Sequence, residues 1–477
     1  MKKNDYAPLN KIEKINSRIS FVCSIAALVV FVLLFRFLDY ELIKKPVLNK
    51  QEADADDTGT ADAQAAEPVV STVSVVAVGD NLFHDSLIKG GQSDPDNWTY
   101  DQYYEYVKSE IQAADMAIVD QETVLTEDHS VASGYPRFAT PSEAAEALVR
   151  TGFDVVYSAT NHADDYGADY LLNTISFWKT KHPEITLLGI HDSQEDADTI
   201  KIREVNGIRI AFLSYAYATN GLGFGEDQSY LLDLFSQGSE KIGEMIQKAK
   251  AQADIVIFIA HWGIEDEPMP SEYEKQWATF LMQQGVDVCI GGHPHTLQPY
   301  GYLSDKDGHE MLLFYSLGNF ISGQKQFVEL LEGMAAFTIQ KTTYPDGTSS
   351  VEILNPTIRP MVMHYNYDRT DFRVYFMDDY NEELAAAHGV HAEIGDVFTL
   401  KNLQKKFEEI MSINVKPSTD TSMLNVRMTW DGTLLDPNGN VVPNTGNVTE
   451  YQYYGLQGIN ILDYDAEYDY TANYVDR

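Results

Sequence analysis

Short apolar runs rich in β-branched residues recur along the chain, and stretches with helical spacing separate many of them. Such runs are typical of buried strands, and strands alternating with helices predict an α/β domain with a largely parallel sheet. The runs cover residues 73–79, 116–119, 154–159, 208–214, 254–260, 286–290 and 311–316. Because ligands of such sheets bind beyond the carboxyl ends of the strands, the residues that follow each run are the first candidates for a functional site.

A His-Pro-His triplet follows the sixth of these runs, immediately after two glycines. The glycines allow the backbone to turn sharply, and Pro294 stiffens the loop between His293 and His295. Two imidazoles at the end of a buried strand are placed to hold a metal ion. A chain with 12 histidines contains a His-x-His triplet by chance often enough that the triplet alone is weak evidence.

Other predicted strand ends also carry residues of the types that bind metals. These residues are Asp80, Glu122, Asn161 with His162, and His261. Carboxylate, amide and imidazole ligands together suit Mn, Fe or Zn, as one ion or as a pair, and they exclude a closed all-cysteine zinc site. The sequence therefore predicts one divalent-metal site along the rim of the sheet.

Helix boundaries give two further predictions. Thr140 and Glu143 form a capping-box pattern, which predicts the start of a helix that ends at Gly152. One of Asp164 and Asp165 is expected to cap the helix that follows the strand at 154–159.

The chain is strongly acidic, with 72 acidic against 34 basic residues and a formal charge of −38 over 477 residues. Such a surface argues against a nucleic-acid partner, whose phosphates need a basic footprint. The two cysteines are Cys23, in a predicted membrane helix, and Cys289, in a predicted core strand, so no disulfide is expected.

An apolar run near the N-terminus predicts a transmembrane anchor over residues 19–38. Basic residues dominate before the run, so residues 1–18 are expected to form a cytoplasmic tail, with the main domain outside the cell. A cleaved signal peptide is the rival, but the exit of the run lacks a small-x-small site, which favours an uncleaved anchor. A buried core helix is the remaining alternative. Residues 39–71 include an acidic stretch without large apolar side chains and predict a flexible linker.

The sequence resembles the CapA family of poly-γ-glutamate capsule biosynthesis proteins, which belongs to the calcineurin-like metallophosphoesterase fold group. The resemblance is carried by VAVGDN (76–81), DQET (120–123), the stretch 137–167, HWGIE (261–265), GGHPHTLQP (291–299) and FYSLGNFI (314–321). It implies a two-sheet α/β sandwich flanked by helices, which we place at residues 72–340. After residue 340 the pattern changes, and residues 341–477 are predicted to be a small accessory region with an acidic, Tyr-rich tail.

The resemblance also implies roles for individual residues. The implied metal ligands are Asp80, Glu122, Asn161, His261, His293 and His295. His162 would be the general acid, and Asp165 is the second catalytic candidate. The candidate substrate contacts are Asn81, Arg137, Glu265 and Asn319. Asp120 stands where the family's Asn-x-Glu motif has asparagine, which leaves the role of that position open.

Three functions are compatible with these features. The first is a surface-anchored metal-dependent hydrolase that acts on a phosphoester or on an anionic surface polymer such as poly-γ-glutamate. The second is a non-catalytic, metal-dependent binding or export factor for such a polymer, and the third is a structural wall-linked protein with a vestigial site. Six ligand-type residues disfavour the third. The expected partners are the substrate or polymer, the membrane and other membrane proteins of capsule synthesis.

Overall fold

The computed structural model describes residues 67–92, 97–220, 223–428, 433–436 and 439–442. The predicted cytoplasmic tail and transmembrane span lie outside these residues, as do the predicted linker up to residue 66 and most of the Tyr-rich tail. Among the helices that are described, none has the length and apolarity needed to cross a bilayer.

The strands and helices follow one another along the whole described chain. The strands are β1 Val69–Asn81, β2 Met116–Gln121, β3 Val124–Thr126, β4 Ala139–Pro141, β5 Val155–Tyr157, β6 Thr186–Leu188, β7 Lys201–Val205, β8 Ile208–Ala216, β9 Ile255–His261, β10 Val288–Gly292, β11 Tyr300–Ser304, β12 Glu310–Phe314, β13 Asn319–Ile321, β14 Leu331–Thr343, β15 Ser349–Tyr365, β16 Phe372–Phe376, β17 Arg427–Met428 and β18 Leu434–Leu435. The α-helices are α1 Asp85–Gly90, α2 Lys108–Ala113, α3 Ser142–Thr151, α4 Gly167–Lys181, α5 Gln194–Ala197, α6 Ser239–Lys250, α7 Glu272–Gln284, α8 Glu382–Ala387, α9 His391–Ile394 and α10 Leu400–Met411.

Most of these strands belong to two mixed sheets. The first sheet has the order β16-β15-β14-β1-β2-β5-β6, with β13 also paired to β1. Its half from β1 to β6 is parallel, whereas β14, β15 and β16 add antiparallel strands. The second sheet has the order β11-β12-β10-β9-β8-β7, and its central strands β8, β9, β10 and β12 are parallel. The single largely parallel sheet expected from the strand pattern is therefore replaced by two sheets.

Alternating side chains of β9 show how the second sheet is buried on both faces. Ile255, Ile257 and Ile259 join the apolar cluster that also contains β1 and β2 residues, so the two sheets share one core. The intervening residues of β9 join a second cluster, formed largely with helices α6 and α7. A strand buried on both faces is continuously apolar, which explains the unbroken run IVIFIA.

Helix α3 lies where the capping-box pattern predicts a helix, but it begins differently. The N-cap position is Pro141, and no side chain caps the helix. The Thr140 hydroxyl instead contacts the Thr123 hydroxyl at 2.5 Å, and Glu143 pairs with His129. The predicted end is confirmed, because Gly152 adopts a left-handed conformation with φ of 115°.

The first sheet extends beyond both boundaries predicted for the main domain. Strand β1 begins at Val69, inside the predicted linker. Strand β14 crosses residue 340, and its partner β15 lies wholly within the predicted accessory region. The sequence pattern changes there because much of β15 is exposed or only partly buried, unlike the apolar parallel strands.

Candidate metal centre

Polar residues at the carboxyl ends of four parallel strands meet at one edge of the sandwich. Asp80 in β1 is paired with Asp120 in β2, and Glu122 follows two residues later. His261 ends β9, and its register partner Gly292 ends β10, directly before the His-Pro-His loop. The side chains of all these polar residues are buried, so they face one another and not solvent.

The Asp80 carboxylate is held by the loop that follows β10. The backbone N–H of His293 lies 3.3 and 3.2 Å from its two oxygens, and Nδ1 of His295 lies 3.0 Å from Oδ2. His293 and His295 have φ angles of 93° and 56°, a left-handed conformation that costs side-chain-bearing residues energy. A Cβ at Gly292 would lie 2.6 Å from Oδ1 of Asp80, so only glycine allows this close approach.

Three imidazoles surround Glu122. Its Oε1 lies 3.8 Å from Nε2 of His261 and 3.9 Å from Nε2 of His295. The rings of His261 and His293 have centroids 4.9 Å apart, and Nε2 of His261 lies 2.8 Å from Oδ1 of Asn161. Four groups of three side chains bring candidate ligand atoms within 4.8 Å of one another; the groups are Glu122–His261–His293, Asp80–Glu122–His295, Asp80–Asp120–His261 and Glu265–His293–His295.

Burial sets the charge state of this cluster. Desolvation and the neighbouring Asp80 raise the pKa of Glu122 to about 8, although His295 opposes the rise. Desolvation, together with Asp80 and Glu122, raises the pKa of Asp120 well above its usual value. Burial lowers the pKa of His261 to about 3 and that of His293 well below its usual value. Without a cation, the folded protein therefore favours the protonated forms of Glu122 and Asp120 and the neutral forms of His261 and His293.

The remaining histidine of the cluster behaves differently. Burial alone would lower the pKa of His295, but the carboxylates of Glu122 and Asp80 outweigh burial and raise it well above its usual value. A protonated imidazole between two carboxylates occupies the place that a metal cation would take, because both supply positive charge to the same oxygens.

Many polar atoms of the cluster have no hydrogen-bond partner among the described residues. They include both oxygens of Asp120, both oxygens of Glu122, and Nδ1 of His261 and His293. Unpaired buried groups of this kind are costly unless another ligand completes them. A divalent cation with oxygen and nitrogen ligands would satisfy them, so the donor set fits one or two such ions.

His162 and Asp165 form a pair beside this cluster. Nδ1 of His162 lies 2.8 Å from Oδ2 of Asp165, which also accepts a hydrogen bond from the Phe138 backbone N–H at 2.7 Å. Burial opposes protonation of His162, but Asp165 outweighs it and raises its pKa. Neither aspartate caps helix α4: Asp164 accepts from Gly223, and the N-cap position is Tyr166 without a side-chain bond.

The four predicted substrate contacts lie in different settings. Glu265 is exposed and groups with two of the cluster's histidines, while Arg137 is exposed and its Nε donates to the Asp165 carbonyl at 2.7 Å. Asn81 is fully buried, and both its polar atoms are used by Gln121 and Tyr104. Asn319 is also buried, and its Nδ2 donates to the His295 carbonyl at 3.3 Å, so it supports the loop.

Two buried carboxylates were not among the predicted site residues. Asp120 lies within the cluster, and its position directly after an apolar run was the signal that could have identified it. Glu332 of β14 is also fully buried without partners, and desolvation and Asp80 raise its pKa well above its usual value. It stands in β14, outside the motifs that carry the resemblance, so the sequence gives no signal for it.

A family model described as "Bacterial capsule synthesis protein PGA_cap" matches residues 74–324, just over half of the chain. The "PGA biosynthesis protein CapA" of Bacillus subtilis is 30% identical over 227 residues, 47% of this chain and 57% of that protein. The "Capsule biosynthesis protein CapA" of Bacillus anthracis is 32% identical over 188 residues, 38% of this chain and 43% of that protein. The chain thus spans about half the length of the curated relatives it matches.

Solved structures give more distant likenesses. The calcineurin-like phosphoesterase YfkN of Bacillus subtilis is 13% identical, with a TM-score of 0.34 over 72% of this chain and 99% of that one. The NAD nucleotidase NadN of Haemophilus influenzae is 12% identical, with a TM-score of 0.36 over 72% of this chain and 67% of that one. Likenesses at this level say nothing about the activity of this chain.

Proposed function

The chain belongs to the bacterial capsule synthesis protein family PGA_cap, and from this membership we propose that it is a metal-dependent hydrolase of capsule or poly-γ-glutamate biosynthesis. The observation that carries the proposal is the cluster of buried carboxylates and imidazoles whose polar atoms lack partners. A purely structural core would not retain such groups, because apolar residues of similar size would be more stable there.

Six residues would hold the ion or ions in this proposal. They are Asp80, Glu122, Asn161, His261, His293 and His295. A divalent metal bound among such ligands polarises a substrate oxygen and lowers the pKa of water. Glu122 is close to all three imidazoles, so it is the ligand best placed to be shared if two ions bind.

The protein's own acid would be His162. Asp165 faces Nδ1 and stabilises the protonated ring, which leaves Nε2 to give its proton to the leaving oxygen of the substrate. Nδ2 of Asn220 lies 3.4 Å from Nε2, where it can help to orient a bound substrate. The guanidinium of Arg137 lies over the ring of Tyr166 at 4.4 Å and can meet an anionic group of the substrate.

An activity assay tests this proposal. Purified protein with Mn²⁺ is given aryl phosphoesters and poly-γ-glutamate, and we expect hydrolysis of one of them that chelation abolishes. Replacement of His129, a surface histidine stacked on Trp98, serves as the control and should not change the rate. If neither substrate is hydrolysed while the polymer binds only with metal present, the protein is a binding or export factor and the hydrolase proposal is wrong.

We also propose that residues 19–38 anchor the protein in the cell membrane, with the tail at 1–18 in the cytoplasm and the main domain outside. The support is the apolar run itself and the basic residues before it. Protease added to intact cells should then remove the main domain and leave a short membrane-bound fragment. Full protection of the domain would contradict this topology.

A further inference from the structure

Asp120 lies at the centre of the site, yet the six proposed ligands do not include it. It is fully buried, and its register partner across the sheet is Asp80. Its Oδ2 lies 3.3 Å from Nδ1 of His261. Its two oxygens and this nitrogen all lack hydrogen-bond partners among the residues that the structure describes.

The role of Nε2, the other ring nitrogen of His261, determines whether Nδ1 carries the ring proton. Nε2 lies 2.8 Å from Oδ1 of Asn161 and faces Glu122, so it points toward the proposed ligands. A ring nitrogen that binds a metal offers its lone pair and cannot keep its proton. Neutral imidazole has one ring proton, which must then lie on Nδ1, on the side of Asp120.

We propose that Asp120 is a positioning residue that accepts the Nδ1 proton of His261 and thereby fixes the tautomer in which Nε2 can bind metal. This inference rests on the metal site proposed above. Carboxylate partners of metal-binding histidines hold the ring orientation and make the ligand nitrogen more basic. Loss of such partners commonly weakens metal binding about 10-fold to 100-fold.

Two variants separate positioning from direct ligation. Asp120→Leu removes the acceptor, whereas Asp120→Asn keeps an oxygen that can accept the Nδ1 proton but lacks the negative charge that a carboxylate ligand brings to a cation. Mn²⁺ affinity is measured by competition with a chromogenic chelator, and thermal unfolding checks that each variant is folded. The control is Asp287→Asn, because Asp287 lies at the opposite end of β10 and binds the Val256 backbone N–H.

We expect the leucine variant to bind Mn²⁺ about 10-fold to 100-fold more weakly and the asparagine variant to stay within about threefold of the native protein. Both should unfold in one cooperative transition, which shows that they are folded, and the control should bind Mn²⁺ normally. Equal large losses in both variants would show direct ligation and overturn the positioning role. Native affinity in both would also overturn it, whereas a native protein without Mn²⁺ affinity would overturn the metal site itself.

Discussion

Single residues at the site are held in states that are unfavourable without a cation. Asp80, Asp120 and Glu122 are buried together, and no lysine or arginine of the described residues forms a salt bridge with them. Burying charged groups costs several kcal/mol each unless they are paired. These residues would therefore destabilise the fold if their role were only structural. Their presence is most simply explained by the ion that they would bind.

The His162–Asp165 pair gives a prediction at this scale. Replacing His162 with glutamine should lower kcat by about 10²-fold to 10⁴-fold, because the proton donor is lost. Bound metal, measured by elemental analysis, should stay at the native level, since His162 is not a proposed ligand. A metal content that falls together with the rate would show that His162 acts in metal binding.

The variant Asp165→Asn gives a second prediction for this pair, on the pH dependence of kcat. Asp165 raises the pKa of His162, so removing its charge must lower that pKa. A general acid works only while protonated, and the alkaline limb of the kcat–pH profile should therefore move to lower pH. An unchanged alkaline limb would mean that another group donates the proton.

Much of the site could be predicted from sequence, because ligand-type residues directly follow apolar strands and parallel strand ends converge. The residues Asp80, His261 and His293 were identified in this way. Asp120 was missed although it directly follows an apolar run, whereas Glu332 gave no signal, because a carboxylate inside a strand looks like an exposed residue until the strand's neighbours are known. Hydrogen-bond partners such as those of Asn81 also depend on tertiary packing that no local pattern encodes.

At the scale of elements, the site depends on how closely the backbone after β10 approaches the Asp80 side chain. The loop after β10 reaches Asp80 only because Gly292 has no side chain. Helix starts were predicted less well: the Thr140 pattern does not cap α3, whereas Ser271 and Glu274 form a true capping box at α7. A capping pattern competes with tertiary partners, and at Thr140 the contact with Thr123 prevails.

Gly292→Ala tests the close approach. The new methyl group would lie 2.6 Å from Oδ1 of Asp80 and must displace this carboxylate. We expect Mn²⁺ affinity to fall about tenfold or more, as when a group that orients a ligand is disturbed. The control is Gly243→Ala inside helix α6, where the new methyl group would meet the Gln284 side chain at 3.3 Å and should leave Mn²⁺ binding unchanged. Native affinity in Gly292→Ala would contradict the geometry of the loop.

At the scale of the molecule, two mixed sheets share one core and place their polar residues at one edge. The two sheets were implied by family resemblance and not by the strand pattern, since periodicity cannot show which strands pair. The first sheet continues past residue 340, because β15 and β16, which complete it, lie beyond the motifs.

The stability of the whole protein should depend on pH when metal is absent. Glu122 has a folded pKa near 8 against an ordinary 4.5. Its contribution to the free energy of unfolding is therefore lost as pH rises through that interval. The raised pKa of His295 acts in the same direction above pH 6.5, while the lowered pKa of His261 has no further effect there. The unfolding temperature of metal-free protein should therefore fall between pH 6.5 and 8.

Glu122→Gln should reduce the fall in unfolding temperature of the metal-free protein, because the amide does not titrate. Glu240→Gln, on the exposed face of α6, should leave it unchanged. Thermal unfolding followed by circular dichroism measures both. A pH dependence that is the same in all three proteins would show that Glu122 is not a source of it.

The central claim is that side chains from distant parts of the chain together bind divalent metal, and elemental analysis of the purified protein tests it most directly. We expect about one or two divalent ions per native chain and much less in Asp80→Ala and His293→Ala, with a native content in the His129→Ala control. A native metal content in both site variants, or no metal affinity in the native protein, would contradict the account.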